Sequence, residues 1–411
     1  LRDNVLGMIM AGGRGARLYP LTKERSKPAV PFGGKYRIID FVLSNFINSE
    51  IYSIFVLIQF KSQSLQDHLR EGWQFSGLLK DHFITAVPAQ QRIGGSWYKG
   101  TADAIYQNLH LVENSGASIV AIFGADHIYK MNIRQMINYH YRKGACATVA
   151  ALPVPVETAC HFGIIEVDRD WKMVGFQEKP QNPVPLPDHP DLCLASLGNY
   201  LFRRDVLIEE LELDACRATE HDFGKSILPE MCKRRDVYVY DFRENRIPES
   251  MKGEEHSYWR DIGTIEAYYE ANMDLKNIDP AFNLYNRSWP VRTVSYGDPP
   301  AKFVFDEGKR KGLAIDSIVS EGCIISGGTV KDSILGKNVF IHSFSEVRDS
   351  ILFNGVDVGR NCRLKRVIID KHVKVPPGTV IGYDRAEDEK RFFLSEAGIV
   401  VIPVGYAWDR G

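Results

Sequence analysis

No early run of this chain is long and apolar enough to cross a bilayer. The most apolar of them, residues 51–60, falls far short of the ~20 residues a spanning helix needs, and Ser53 and Gln59 interrupt it. Paired cysteine is missing as well. The seven cysteines (Cys146, Cys160, Cys193, Cys216, Cys232, Cys323 and Cys362) form no C-x-x-C, and an odd number scattered through 411 residues argues against a disulfide framework. The N-terminus lacks the basic, apolar and small-residue order of a secretory signal, since Val5 to Met10 runs directly into a glycine loop. A soluble protein in a reducing, cytoplasmic setting is expected. An excess of either charge is also absent. Lys plus Arg number 51 against 52 Asp plus Glu, a net charge of −1 without the basic surplus that nonspecific nucleic-acid binding draws on. No nucleic-acid or membrane partner is expected, and any anion must be met by local clusters of cations.

What the chain does have is apolar content, 44% over 411 residues, enough for two or three packed domains. From about residue 5 to 250, short β-rich runs (Val5 to Met10, Ile51 to Ile58, Ser118 to Phe123, Ala147 to Ala151) alternate with helical stretches such as Thr101 to Glu113. That order predicts an α/β domain with a mostly parallel sheet. Ligands of such sheets sit beyond the carboxyl ends of the strands, which directs attention to the loops after Met10, Ile58 and Phe123. The proline-rich residues 181–190 read as a surface loop. Pro290, Pro299 and Pro300 read as part of an interdomain linker, and residues 301–313 as an exposed turn or its continuation.

A second regularity follows. Aliphatic residues at spacing six give Ile318, Ile324, Val330; then Leu335, Ile341, Val347; then Leu352, Val358, Leu364; then Ile369, Val375, Ile381, each row 17 residues after the last. A hexapeptide period with inward aliphatic residues and intervening Gly327, Gly336, Asn338 and Gly359 predicts a parallel β-helix, of the left-handed kind such prisms resemble.

The first strand ends in Ala11-Gly12-Gly13-Arg14-Gly15-Ala16-Arg17-Leu18, which is neither a Walker loop nor a G-x-G-x-x-G fingerprint. Glycines at 12, 13 and 15 would let backbone N–H groups wrap a phosphate, with Arg14 and Arg17 adding forked donors; a tight turn uses the same residues. Lys27-Pro28-Ala29-Val30 returns another cation after Arg25. Together with Gly12 to Thr22, this string resembles the signature of sugar-nucleotide pyrophosphorylases. The stretches Phe32-Gly-Gly-Lys-Tyr-Arg-Ile-Ile-Asp40, Leu43-Ser44-Asn45 and Ile47-Asn48-Ser49 are similar to one branch, the ADP-glucose pyrophosphorylases or glucose-1-phosphate adenylyltransferases. The resemblance recurs at Pro88 to Arg92, Trp97 to Ala104, Asp126-His-Ile-Tyr-Lys130, Glu178-Lys-Pro180, Leu194 to Gly198, His221-Asp-Phe-Gly-Lys225, Tyr258-Trp-Arg-Asp-Ile-Gly-Thr264 and Pro300 to Phe303, so it spans nearly the whole chain.

The resemblance implies a Rossmann-like nucleotidyltransferase domain over residues 1–285, a linker over 286–313 and a left-handed β-helix over 314–411 that serves regulation and assembly. It also implies transfer of the adenylyl group of ATP to glucose 1-phosphate, giving ADP-glucose and pyrophosphate for glycogen or starch synthesis. A phosphate monoester loses its second proton near a pKa of ~6, so the nucleophile is already ionised and no general base is needed. Positioning and charge neutralisation remain, which calls for one or two Mg²⁺ ions. By the same resemblance Asp126 and Asp261 hold the metal, and Arg14 and Lys27 hold the triphosphate with Gly12, Gly13, Arg17 and Gly100. Arg17 could instead pair with a carboxylate. Gln91 has the amide to read an adenine edge or to brace its loop. Lys179 suits the sugar phosphate and Glu178 the glucose hydroxyls, joined by Tyr98, Gly163 and Ser196. A homotetramer controlled by small anionic effectors is implied, with Arg25, Lys35, Arg37, Arg360, Arg363 and Arg391 as candidates for the effector site.

Three departures stand out. Ala125 occupies the position before Asp126 where the family usually has glycine. Lys23-Glu24-Arg25 puts an acid inside an expected basic pair, and Leu394 stands where a third cation would follow Lys390 and Arg391. Rival readings are a uridylyl or thymidylyl transferase of the same family, a noncatalytic regulatory subunit, and a bifunctional acyltransferase for which His342 and His372 bring no accompanying signature.

Overall fold

The computed structural model describes residues 4–75, 81–90, 97–249 and 257–408. Its N-terminal part is built on a nine-stranded sheet whose parallel centre runs, in spatial order, Ile119–Gly124, Val5–Met10, Ser53–Ile58 and Phe83–Pro88. These strands are almost continuously apolar because both faces of the sheet are covered. Leu6 and Met8 pack with Val120 and Ile122 on one face, while Val5 and Ile9 pack with Ala121 and Phe123 on the other. The segments after Met10, Ile58 and Gly124 therefore leave one edge together, as expected. The twelve-residue strand Leu192–Arg203 runs against Ile119–Gly124 and widens the sheet by pairing with Ala147–Pro155 and Gly163–Val167.

The helix expected across residues 101–113 is two helices, Thr101–Tyr106 and Leu109–Asn114. The break lies at Asn108, whose Nδ2 donates to the Ala104 carbonyl at 2.8 Å and to the Tyr98 hydroxyl at 2.9 Å. Side-chain bonds of this kind compete with the helical ladder. Among the described residues no helix is long and apolar enough to cross a membrane, and the seven cysteines are free.

Residues 286–301 carry no strand or helix. Parallel stacking begins at Lys302–Val304, which pairs with Ile324–Ser326, inside the stretch read as linker. From there the chain winds as a prism of three parallel ladders: Ile324–Ser326, Phe340–Ile341, Asp357–Val358 and Lys374–Val375 on one side, with Leu313–Ile315 and Ile318–Val319 starting the equivalent columns on the others. Every position of the three later aliphatic rows is at most 3% exposed. The first row differs: Val319 and Ile325, not Ile318 and Ile324, stack in register with Leu335 and Ile341. Strand side chains alternate between faces, so a one-residue shift in the first coil turns Ile318 and Ile324 away from the axis.

The prism is not a free appendage. Ile351, Phe353, Ile368, Ile399 and Val401 share one buried cluster with Ile128, Ile265, Tyr268 and Tyr269 of the N-terminal part. Arg25 donates to Asp370 at 2.8 Å, with both side chains almost fully buried.

Candidate active site

A cavity of about 610 Å³ opens at the carboxyl edge of the parallel strands. Gly12 and Gly13 follow the first strand into it, and Lys27, Pro28 and Arg17 form the adjoining wall. Gly15 takes φ +61, and a Cβ there would come within 2.9 Å of the Lys27 Cβ, so glycine lets this loop fold directly onto Lys27. The Lys27 ammonium bridges two carboxylates, donating to Asp126 Oδ2 at 3.2 Å and to Asp261 Oδ1 at 3.0 Å. Asp126 lies just beyond the strand Ile119–Gly124. Asp261 arrives from more than a hundred residues away through an antiparallel pair, Trp259–Asp261 against His127–Tyr129, which sets Asp261 opposite His127. Arg17 lies 3.7 Å from Asp261, the carboxylate pairing anticipated as its alternative role, and it stays largely exposed.

Burial opposes ionisation of Asp126, yet the His127 and Lys27 charges and the Lys27 hydrogen bond hold its pKa down to about 2. The His127 ring packs against Trp259 in a tilted arrangement at a centroid distance of 4.5 Å. One ligating atom from each of Asp126, His127 and Asp261 lies within 4.8 Å of the others, the group of this kind found among the described residues. Two carboxylates offering hard oxygen donors fit a hard divalent ion, which would have to share them with the Lys27 ammonium. Ala125 takes no positive φ, is buried, and donates its N–H to the Met10 carbonyl, so alanine needs no adjustment of this loop.

The opposite wall is formed by Tyr98, Gly100, Thr101, Gly198, Tyr200 and Asp222. Burial, then the Asp222 charge, push the Tyr200 phenol up; Ser196 bonds to it and Glu178 adds a further upward push. Gly163 pairs with Glu178 across the ladder of Gly163–Val167 and Met173–Glu178. Lys179 takes φ +47 and lies 3.9 Å from Glu178, largely exposed. Glu178, Lys179, Gly163 and Ser196 thus group next to Tyr200 without lining the cavity themselves.

Other expected residues fall elsewhere. Arg14 does not line the cavity; its guanidinium lies 5.9 Å from the Phe60 ring, a cation–π approach. Gln91 lies outside the described residues. The six effector candidates divide. Arg25 and Arg37 converge on Lys371, whose pKa burial, then Arg37 and Arg25, lower to about 7. Lys35 pairs with Glu321 at 3.1 Å, whereas Arg360, Arg363 and Arg391 lie over the Phe344, Tyr383 and Phe392 rings. Sequence reasoning missed Gln59, Thr101, His127, Tyr200, Asp222 and Lys371. Gln59 directly follows Ile58, one of the strand ends marked for chemistry, and His127 and Asp222 stand inside quoted motifs; Lys371 had no signal.

Two family models match the chain. A nucleotidyl transferase model covers residues 6–278, and a GlmU-like C-terminal hexapeptide model covers residues 299–402, which makes the prism a β-helix of the left-handed hexapeptide type. Nucleotidyl transferases of this kind generally use a divalent metal, for which Asp126, His127 and Asp261 offer ligands. A glucose-1-phosphate adenylyltransferase of Anaeromyxobacter sp. is 54% identical over 97% of this chain and 98% of its own length. That of Thermus thermophilus is 54% identical over 99% of both, and one from Vibrio parahaemolyticus is 52% identical over 98% of both. Full-length similarity of this degree, with the glycine loop and Asp126 lining the cavity and Asp261 joined to them through Lys27, means that the chain belongs to the glucose-1-phosphate adenylyltransferase family.

Proposed function

We propose that this chain transfers the adenylyl group of ATP to glucose 1-phosphate, releasing pyrophosphate and forming ADP-glucose for storage-polysaccharide synthesis. The observation that carries the reading is the meeting of Lys27, Asp126 and Asp261 beside the Gly12–Gly13 loop. In the reaction a phosphate oxygen of the sugar forms a bond to the α-phosphorus of ATP as the bond to the departing pyrophosphate breaks. Gly12 and Gly13 offer backbone N–H groups to the triphosphate, while Arg17 and Lys27 balance the charge that grows on the leaving group. Arg14 reaches the same phosphates once it leaves the Phe60 ring. Asp126 and Asp261 would hold Mg²⁺, which when bound supplies further neutralisation of phosphate charge. Tyr98, held by Asn108, and Asp222 orient the sugar, with Glu178, Lys179, Ser196 and Gly163 behind them. Positioning and charge carry the rate, since no proton need be removed from the nucleophile.

A small polyanion is the proposed effector, held by Arg25, Arg37 and Lys371 where the two domains meet. A homotetramer in the cytoplasm completes this reading, supported by apolar side chains such as Phe303, Leu313 and Ile315 left exposed on the first coils of the prism.

The test is pyrophosphate release from glucose 1-phosphate with Mg²⁺, comparing ATP, UTP, dTTP, GTP and CTP, each with and without sugar phosphates, pyruvate and phosphate. ATP is expected to exceed the others at least tenfold, with the activity lost in Asp126→Ala. Preference for another nucleotide moves the chain to a uridylyl or thymidylyl branch. No turnover from a folded oligomer makes it a regulatory subunit.

A further inference from the structure

The motif His221 to Lys225 contributes Asp222 to the cavity wall, but its first residue does not reach the cavity at all. His221 adopts φ +51, a left-handed conformation that a residue with a side chain rarely takes, so something must hold it there. Its Nδ1 donates to Asp214 Oδ2 at 2.8 Å, and its backbone N–H donates to Thr219 Oγ1 at 3.1 Å. Thr219 in turn donates to Asp214 Oδ1 at 2.8 Å. The imidazole and the carboxylate are 13% and 8% exposed, and Asp214 belongs to the helix Arg204–Ala215, so the tether is anchored on a packed element.

The turn held in this way meets the cavity wall through its backbone. The helix Thr101–Tyr106 has no side-chain cap; instead the His221 carbonyl accepts from the Ala102 N–H at 2.8 Å and the Asp103 N–H at 3.2 Å. Gly100 lies so close beneath that a Cβ would come within 2.3 Å of the His221 carbonyl oxygen and 2.4 Å of that of Glu220. Thr101 Oγ1 donates to Asp222 Oδ2 at 2.8 Å and accepts from the Phe223 N–H at 3.0 Å. Tyr98, Gly100, Thr101 and Asp222, all on the cavity, therefore form one braced wall whose far anchor is the His221–Asp214 pair.

We infer that His221 is a positioning residue: clamped by Asp214, it sets the wall of Tyr98, Gly100, Thr101 and Asp222 at the distance that the sugar phosphate requires. The inference rests on the adenylyltransferase reading for the identity of that substrate, but not for the clamp itself. Because the Asp222 charge reaches Tyr200 at the end of the cavity assigned to the sugar, loosening the wall acts on glucose 1-phosphate more than on ATP. Small misplacements of orienting groups cost large factors in enzyme kinetics.

The experiment compares His221→Ala with His221→Asn in the full chain. Asparagine tolerates the left-handed region and carries an N–H the same number of bonds from the backbone as Nδ1, so it can rebuild the bond to Asp214. In His221→Ala the KM for glucose 1-phosphate is expected to rise at least tenfold, and by a larger factor than the KM for ATP, which shares Gly100 of the same wall. Exchange of the Ala102 and Asp103 amides should accelerate at least tenfold. His221→Asn should recover most of both effects. Unchanged exchange in His221→Ala overturns the clamp. A loss shared equally by both variants, tracking a drop in melting temperature, overturns positioning in favour of a general packing role. Should the parent turn over no nucleotide, the adenylyltransferase reading fails while the amide exchange still decides for or against the clamp.

Discussion

Lys27 occupies the position between Asp126 and Asp261 that a divalent ion would share, so metal and ammonium compete for the same two carboxylates. Lys27→Gln is expected to raise the affinity of the nucleotide-free protein for Mn²⁺ about tenfold, or ~1.4 kcal/mol, while turnover falls at least a hundredfold for want of a charge on the leaving group. Electron paramagnetic titration of free Mn²⁺ reads the first effect, and weaker Mn²⁺ binding in the variant would contradict it. The pH profile separates protein from substrate. The folded pKa of Asp126, about 2, lies below the unfolded value of ~3.9, so the stability it contributes is present above about pH 4 and is lost as pH falls toward 2. Asp126 therefore stays ionised wherever the enzyme is assayed. The acid limb of kcat/KM should fall near pH 6, where the sugar phosphate gains a proton. A limb that moves with Asp126→Glu would assign it to the protein instead.

At the scale of elements, the meeting of the domains at Arg25, Arg37 and Lys371 invites two measurements. Arg25→Ala leaves Asp370 buried without its partner, and removing one member of a buried pair costs about 3–5 kcal/mol, read as a lower denaturation midpoint. Lys371 behaves in the opposite sense. Its folded pKa of about 7 lies below the unfolded ~10.4, so its burial costs stability below pH 7, and the cost is relieved as pH rises between those values. Lys371→Met should thus raise the melting temperature at pH 6.5, with the gain shrinking toward pH 10, and should weaken binding of a polyanionic effector. Legibility in the sequence also sorts by element. The three later coils of the prism and the strand-end loops could be read directly, because a packed axis imposes aliphatic residues at fixed spacing and phosphate chemistry imposes glycine and cations. The first coil slipped by one residue because Ile318 and Ile324 are as aliphatic as the neighbours that point inward. Tyr200 was missed because an antiparallel strand brings it to the cavity without leaving a local pattern, and Asp222, though inside the quoted motif His221 to Lys225, was missed because only the tertiary fold brings that turn to the cavity. Asn108 broke a helix for a contact with Tyr98 that no periodicity reveals.

For the whole molecule, the buried cluster that Ile351, Phe353 and Ile368 share with Tyr268 and Ile265 makes the prism part of the core of the N-terminal domain. A chain ending at residue 298 would expose that surface, and it is expected to bind a hydrophobic dye and to melt well below the full protein. Calorimetry of the intact chain should show one transition, and two well-separated transitions would contradict the shared core. Substitution inside the prism should then be felt at the distant cavity: Phe353→Ala is expected to cost about 3–5 kcal/mol and to lower the apparent melting temperature of the catalytic half as well. The shared cluster also bears on how such proteins can be recombined. A prism borrowed from a relative would join this N-terminal domain only if it brought matching side chains for Tyr268, Tyr269 and Ile128 and an acid to meet Arg25. The joint behaves as a lock cut for one key, and grafts that ignore its teeth should yield insoluble hybrids rather than enzymes with exchanged control.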